Sequence, residues 1–472
     1  MLATAAAVAA TSPDVLFGDG HPASRSPNET LGVAVVGVRG RGGSHIGAFA
    51  GRKDTEVLYL CDVDREIGGK RVQEVAKRQG RAPRLEEDLR RVLEDSRVDI
   101  VTVATPNHQH AVQAIWAMQA GKDVYVERPV SHNVEEGRRM VETARKYKRI
   151  CQAGMQCRSN PGMAAAMEFA ASGALGDVRV ARGICYKRTR SMGPRGEYLA
   201  PAGVNYDLWL GPAPCEPLTR RQFHHDWQWL WAYGNGDLGG ASVLQLDLAR
   251  WGLGASRLSD SVISFGGRFG VADAGETATT QVVIHNYGAR SLVSELRHLD
   301  AGDHPGAKAG VILEGTEGYL VATSYDSGAA FDKAGKRIRD FQGGGDHFAN
   351  FLKAVRSRNA RDLNADIEEG HLSSALCHLG NISYRLGELV GPEELARRLG
   401  EFETAEEVQA VLARTLAHLD ASGVDVCKER IRLGLPLRFD PVAEVFLGPR
   451  EANRMLTREY RQPFVVPPPG QI

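Results

Sequence analysis

The sequence predicts an α/β protein: an N-terminal doubly wound parallel sheet, then a C-terminal α/β domain with a large open, mostly antiparallel sheet. Three observations predict it. Short β-branched apolar runs alternate with helical stretches of about 10–15 residues over the first third of the chain. A glycine-rich turn follows the first run. Beyond residue 160 longer strands follow one another directly, with partly alternating polarity, as in antiparallel pairing.

Residues 33–37, Val-Ala-Val-Val-Gly, suit a parallel strand buried on both faces. A helix is predicted over Ser44 to Gly51, a strand over Val57 to Cys61 and a charged helix over Asp64 to Gln79. A second charged helix, Leu85 to Glu94, leads to the strand Ile100 to Ala104. The helix Ala111 to Ala120, strand Val124 to Val126, helix 134–147 and strand Ile150 to Ala153 complete the parallel pattern. Longer strands are predicted at 178–186, 261–267, 280–287, 291–298 and 309–324. A hairpin over Gly328 to Phe341 turns at Lys333-Ala334-Gly335-Lys336. Helices at 346–357, 367–387 and near 404–420 follow, and the Pro-rich end, Pro463 to Pro469, reads as a strap over the domains. The expected division is 1–30 (leader or arm), 31–158 (dinucleotide-binding), 159–390 (substrate and oligomerisation) and 391–472 (extension).

A chain of 472 residues exceeds one ordinary core. Hydrophobic content of 43% and charged content of 25% are those of a globular protein in water. With 58 basic and 58 acidic side chains, no global field recruits nucleic acid or an anionic membrane. No later run reaches the ~18 uncharged apolar residues of a membrane span. Seven scattered cysteines without a CxxC pair indicate buried free thiols, with neither a zinc site nor a disulfide scaffold. Met1 to Ala10 is a small apolar run that lacks the basic segment of an export signal. A start further upstream implies an exported, periplasmic protein, and otherwise a cytoplasmic one.

Gly37-Val38-Arg39-Gly40-Arg41-Gly42 leads from the first strand into a helix. The dinucleotide fingerprint places glycine at 37, 39 and 42, so Arg39 breaks it and Gly40 is the substitute for close approach. The helix N-terminus offers amides to phosphate, and Arg39 or Arg41 adds charge-assisted bonds. Asp62 lies 25 residues after Gly37, near the spacing at which an acid meets the adenosine ribose diol. An acid there favours NAD over NADP; the alternative for Asp62 is a helix N-cap. Thr105, Pro106, Asn107 and His110 follow the fourth strand, and Glu127 and Arg128 follow the fifth. Polar residues past strand carboxyl ends face the ligand crevice, so Glu127 and Arg128 look toward the nicotinamide half.

Taken together, the Gly37 turn, Thr105 to His110, Glu127-Arg128-Pro129, Gly234 to Gly239 and Asp247 to Trp251 resemble the Gfo/Idh/MocA oxidoreductase family. Leu456 to Arg461 looks like a branch of it often found with export signals. The resemblance covers residues 31–468 and implies an N-terminal Rossmann domain, an open C-terminal sheet and homo-oligomers built on that sheet. It also implies NAD(P)-dependent oxidation or reduction of a sugar or cyclic-polyol hydroxyl. The family's catalytic lysine corresponds to Arg128, its histidine to Leu244, and the residue one turn earlier to Gly240. Arginine keeps the charge but cannot shuttle a proton, and leucine has no proton chemistry.

Arg128, Asp247 and Lys187 are the expected catalytic residues. Lys187 is the candidate base, since burial beside Arg128 lowers a lysine pKa; the alternative is a solvated lysine. His224, Trp227, Trp229 and Lys187 are the expected substrate contacts. In an extended segment residues 227, 229, 231 and 233 share one face and would stack on a sugar ring; an aromatic core or subunit interface is the alternative. Six basic and no acidic residues between Val178 and Gly196 would hold a sugar acid or simply form a solvated face. Loss of the usual proton-transfer groups leaves two further readings. One is a non-catalytic carbohydrate- or nucleotide-binding protein, and the other an NAD-assisted glycoside-cleaving enzyme.

Overall fold

The apolar run predicted as a buried strand forms β1 (Leu31–Val36), with all six residues buried. α1 (Gly40–Phe49), β2 (Thr55–Cys61), α2 (Arg65–Gln79), β3 (Arg84–Glu86), α3 (Leu89–Leu93) and β4 (Ile100–Val103) follow. α4 (Asn107–Gln119), β5 (Asp123–Val126), α5 (Val134–Lys146) and β6 (Cys151–Ala153) complete this half. The computed structural model describes residues 30–186, 190–299, 309–404 and 408–472. The leader reading of residues 1–29 and the assignments to Lys187 lie outside the described residues.

The first six strands form one parallel sheet in the order β3-β2-β1-β4-β5-β6. The order reverses between β1 and β4, and the crevice at the strand carboxyl ends is the ligand position of such sheets. Three boundaries differ from expectation, one being α4, which begins at Asn107 rather than Ala111. α1 begins at Gly40 rather than Ser44, so the glycine turn is itself the first helical turn. The helix predicted over Leu85 to Glu94 splits. Leu85 pairs with Leu60 in an edge strand and packs on Gly68, while Asp88 caps a shorter helix by accepting from the Arg90 N–H. Local charge periodicity could not reveal that pairing.

The second half contains α6 (Pro161–Ala171), β7 (Val178–Tyr186), α7 (Tyr206–Leu210), α8 (Gly236–Gly240) and α9 (Val243–Gly252). Next come β8 (Ser261–Gly267), β9 (Thr280–Asn286), β10 (Ser291–Arg297), β11 (Ala309–Gly315), β12 (Gly318–Ala322), β13 (Ser327–Asp332) and β14 (Arg337–Gln342). α10 (His347–Ser357), α11 (Ile367–Arg385), β15 (Glu388–Val390), α12 (Pro392–Leu399) and α13 (Val408–Ala421) lead to β16 (Ile431–Leu433), β17 (Leu437–Asp440), β18 (Val445–Phe446) and α14 (Arg450–Arg454). The sheet runs β14-β13-β12-β11-β7-β10-β9-β8-β16-β15, antiparallel except between β7 and β10. The single strand predicted over 309–324 is a hairpin, β11–β12, because the chain reverses between Gly315 and Gly318, where a Cβ would strike the Leu175 and Phe331 carbonyls.

α9 and α11 pack on one face of this sheet. On β8–β10 the other face is covered by α12 and α13, with Leu395, Leu399, Val411 and Leu412 against Ile263, Phe265, Val282 and Ile284. That stretch of sheet thus carries helices of the same chain on both faces. The tail straps back across the molecule. The Leu456 carbonyl accepts from the Glu135 N–H at 2.9 Å, Arg461 donates to the Gly211 carbonyl, and Phe464 lies 5.8 Å from the Trp116 ring. Cys215 and Cys427 are exposed, contrary to the expectation of buried thiols, because both sit in loops. Among the described residues no helix is long and apolar enough to cross a membrane.

Candidate functional site

At the carboxyl ends of β1, β2, β4 and β5 lies a cavity of about 410 Å³. Gly37, Arg39, Gly40, Arg41, Asp62, Thr105, Pro106, Asn107, His110, Glu127 and Arg128 line it from the parallel sheet. His224, His225, Trp227, Gln228 and Gly240 close it from the second half.

The glycine turn has a steric logic. Gly37 sits at φ +78°, and a Cβ there would lie 2.8 Å from the Ala104 carbonyl. A Cβ at Gly42 would collide with the Gly37 carbonyl oxygen, so the first turn of α1 packs only with glycine. A Cβ at Gly40 would meet nothing within 4 Å. Gly40 therefore supplies the open approach that Arg39 denies at its own position. Arg39 caps α1 without a side-chain bond, and the first turn holds no acid. Its free amides and positive dipole end form an anion seat.

Val38 donates its backbone N–H to Asp62 Oδ2 at 2.8 Å, and Asp64 donates its own to Asp62 Oδ1 at 3.0 Å. Burial raises the Asp62 pKa against these bonds. The N-cap of α2 is Asp64, which accepts from Glu66 and Ile67. Asp62 is therefore left facing the cavity.

At the other end Glu127 Oε1 accepts from Arg41 Nε at 2.7 Å and pairs with His45 Nε2 at 3.1 Å. Burial opposes its charge, but His45, Arg41 and Arg128 together hold the carboxyl well below the usual range. Its Oε2 is buried without a protein partner, as is Arg128 Nε. Arg128 Nη1 donates to the Gly240 carbonyl at 3.5 Å. An unpartnered acceptor beside an unpartnered cationic donor, an open glycine, an uncapped helix and a carboxylate in one cavity fit a dinucleotide.

Of the other expected residues some lie elsewhere and some line the cavity in other roles. Asp247 does not line the cavity: Arg158 Nε meets both its oxygens at 2.8 and 3.0 Å, and Ser373 donates to Oδ1 at 2.7 Å. That buried pairing leaves no carboxylate free for chemistry. His224 lines the cavity and pairs at 2.9 Å with Asp64, the N-cap of α2. The extended aromatic stripe is absent, because residues 226–229 form a 3₁₀ turn. Trp227 therefore lines the cavity while Trp229 turns inward and donates to Asp237 Oδ2 at 2.7 Å. Val38 and Gly42 shape the turn from behind. His110 lies between the Pro129 and Thr105 carbonyls, and burial lowers its pKa. Leu244 is buried core. Gln109, in the polar cluster after the fourth strand, lines the cavity as its position predicts, whereas sequence reasoning missed Trp116, Trp209 and Phe464, which also line it. Phe464 comes from the tail, and no local signal could place it there.

Comparisons with known proteins agree with this architecture. A family model described as an oxidoreductase family, NAD-binding Rossmann fold, matches residues 31–155. A second, described as the C-terminal alpha/beta domain of the same oxidoreductase family, matches 195–411. An alpha-N-acetylgalactosaminidase from Shewanella oneidensis is 30% identical over 127 residues, which is 26% of this chain and 28% of that protein. A levoglucosan dehydrogenase from Pseudarthrobacter phenanthrenivorans is 26% identical over 240 residues, 50% of this chain and 54% of that protein. The matches thus span about a quarter to a half of these relatives' length. Among solved structures, the WlbA dehydrogenase from Bordetella pertussis in complex with NADH and UDP-GlcNAcA aligns with TM-score 0.56 at 19% identity, covering 76% of this chain and 97% of that one. A levoglucosan dehydrogenase complex with NADH and levoglucosan aligns with TM-score 0.56 at 19% identity, covering 74% and 96%. These structures share the fold. With both family models matched in order along the two halves, the chain belongs to the Gfo/Idh/MocA oxidoreductase family.

Proposed function

We propose that the protein binds NAD(H) and acts as an oxidoreductase on a hydroxyl of a sugar, sugar acid or cyclic polyol. The observation that carries the reading is one continuous cavity with Asp62 and the uncapped α1 turn at one end and Glu127 and Arg128 at the other. Asp62 would meet the adenosine ribose diol, and its charge would repel a 2′-phosphate, which favours NAD over NADP. Gly40 and the α1 amides would seat the pyrophosphate, and Glu127 Oε2 would accept an amide N–H. The fold neighbours solved with NADH, and a sugar-oxidising relative among the sequence matches, support this direction.

Bound NAD supplies a hydride acceptor for the alcohol carbon. Arg128 would stabilise the negative charge that develops on the substrate oxygen, but a guanidinium does not accept the hydroxyl proton. We assign that acceptor role to Lys187. Trp227 would offer a ring face and Gln228 its amide to substrate hydroxyls.

The test is purification followed by absorbance and mass analysis of any retained nicotinamide. Calorimetry with NADH and NADPH and a screen of sugars, polyols and sugar acids for NADH formation complete it. NADH binding with turnover that Lys187→Ala abolishes supports the reading. Absence of dinucleotide binding overturns it. Binding without turnover would mark a non-catalytic binding protein, and aglycone release without net NADH would mark redox-assisted glycoside cleavage.

A further inference from the structure

A second cavity, of about 260 Å³, lies behind the loop that closes the dinucleotide site. Its wall is formed by α11, the segment after α14 and the loop Trp231–Asn235. Three arginines line it, Arg385, Arg454 and Arg458, together with His132 and several amide side chains, and no lining side chain is acidic. The nearest carboxylates are engaged in the wall: Glu136 accepts from the His132 backbone N–H and from Asn133, and Glu276 accepts from the Trp231 N–H.

One atom points to a ligand. Arg458 Nη1 lies 3.3 Å from His132 Nδ1. A guanidinium only donates, so Nδ1 is the acceptor and the ring proton sits on Nε2. That Nε2–H is buried with no protein acceptor. A buried donor left unpaired costs about 1–3 kcal/mol, and its residue belongs to the wall of a cavity whose charged groups are all donors. His378 does not relieve it, since its own Nε2 faces Ser131 Oγ at 3.3 Å.

We propose that this cavity is a binding site for a small oxyanion, phosphate or carboxylate in chemistry, separate from the dinucleotide site. His132 Nε2–H would donate to one oxygen, and the arginine guanidinia would clamp the others. The volume exceeds the ~30 Å³ of one water several-fold, so a phosphate group enters with part of its hydration or of the molecule that carries it. The two cavities share a wall: Asn235 Oδ1 accepts from Asn107 Nδ2 at 3.0 Å, and Asn107 lines the dinucleotide cavity. Asn235 Nδ2 also holds the His132 carbonyl at 2.9 Å.

Trp231 lines the cavity, with the Arg385 guanidinium 4.9 Å from its ring centroid, and so reports occupancy by fluorescence. Inorganic phosphate and, separately, glucuronate are titrated into the full chain, with KCl at matched ionic strength as control. A saturable change with phosphate or glucuronate and none with KCl is expected. The Arg385→Met/Arg454→Met variant, altered only at exposed side chains, should weaken it by about tenfold or more, one charge-assisted bond or better. His132→Leu should weaken it as well. NADH at saturation should leave the anion response in place, as should Arg39→Ala. A response that KCl reproduces, that the arginine variant retains, or that NADH or Arg39→Ala removes would overturn the proposal. Which anion saturates at lower concentration distinguishes a phosphate source from a carboxylate source.

Discussion

Asp62 Oδ2 accepts the Val38 backbone N–H at 2.8 Å and so ties the end of β2 to the glycine turn after β1. This bond holds a carboxylate over the place where a dinucleotide ribose would lie. Asp62→Ala should lower NADH affinity by about 1.5–3 kcal/mol, the range for bonds to a charged group, or roughly tenfold to a hundredfold. NADPH affinity should fall less or rise. Titration with both dinucleotides measures the ratio, and an unchanged ratio would remove Asp62 from ribose recognition.

Gly42 and Gly40 should separate folding from binding. At Gly42 a Cβ meets the Gly37 carbonyl, so Gly42→Ala should destabilise by about 1–3 kcal/mol through overpacking. At Gly40 a Cβ meets no protein atom, so Gly40→Ala should hold stability within ~0.5 kcal/mol. It should nevertheless weaken NADH, because the added methyl points where the pyrophosphate must approach. Urea unfolding and NADH titration of both variants check the pair.

Asp247 should behave as a structural group. Its side chain and that of Arg158 are 1% and 8% exposed, and breaking a buried pair costs about 3–5 kcal/mol. Asp247→Ala should therefore lower the unfolding midpoint strongly. A folded, stable Asp247→Ala protein that binds NADH yet loses only turnover would return Asp247 to the chemistry.

Acid should destabilise the chain. Burial pushes His108, His285 and His378 down to about 3, so they stay neutral in the fold while they take up protons near pH 6.5 when unfolded. The unfolded chain binds more protons in this window, so stability is present above about pH 6.5 and is lost as pH falls toward about 3. Each histidine contributes a slope of up to about 1.4 kcal/mol per pH unit. Glu136, pushed up by burial to about 7, acts in the opposite sense between about 4.5 and 7, as do Asp62, Asp123 and Asp226, which burial also raises, while burial lowers His110, His132, His347 and His418 too and adds to the loss toward acid. Urea unfolding at a series of pH values should show net loss toward acid; a flat profile would mean that these rings are not held neutral.

The central strands of the parallel half were legible, because β1, β4 and β5 are short apolar runs whose burial on both faces leaves no other pattern. The Gly37 turn, Asp62, Glu127 and Arg128 were legible for the same reason: topology alone puts strand ends over one crevice. Leu85 was not, since only its pairing with Leu60 makes it a strand. Trp229 was not, since a 3₁₀ turn and a bond to Asp237 rotate it away from Trp227.

By itself, then, the sequence determined the alternation of strands and helices in the parallel half, the glycine geometry of the α1 turn and the residues at the strand ends. Those follow from local sterics, hydrophobic period and one topological rule. Only the tertiary structure decided that Asp247 belongs to Arg158, that His224 pairs with Asp64, and that Phe464 of the tail walls the cavity. It likewise decided that His132, with a buried unpartnered Nε2, walls a second cavity lined by arginines. The physical reason is separation along the chain: Asp247 and Arg158 are 89 residues apart, and a bond across that distance leaves no periodic trace in either segment.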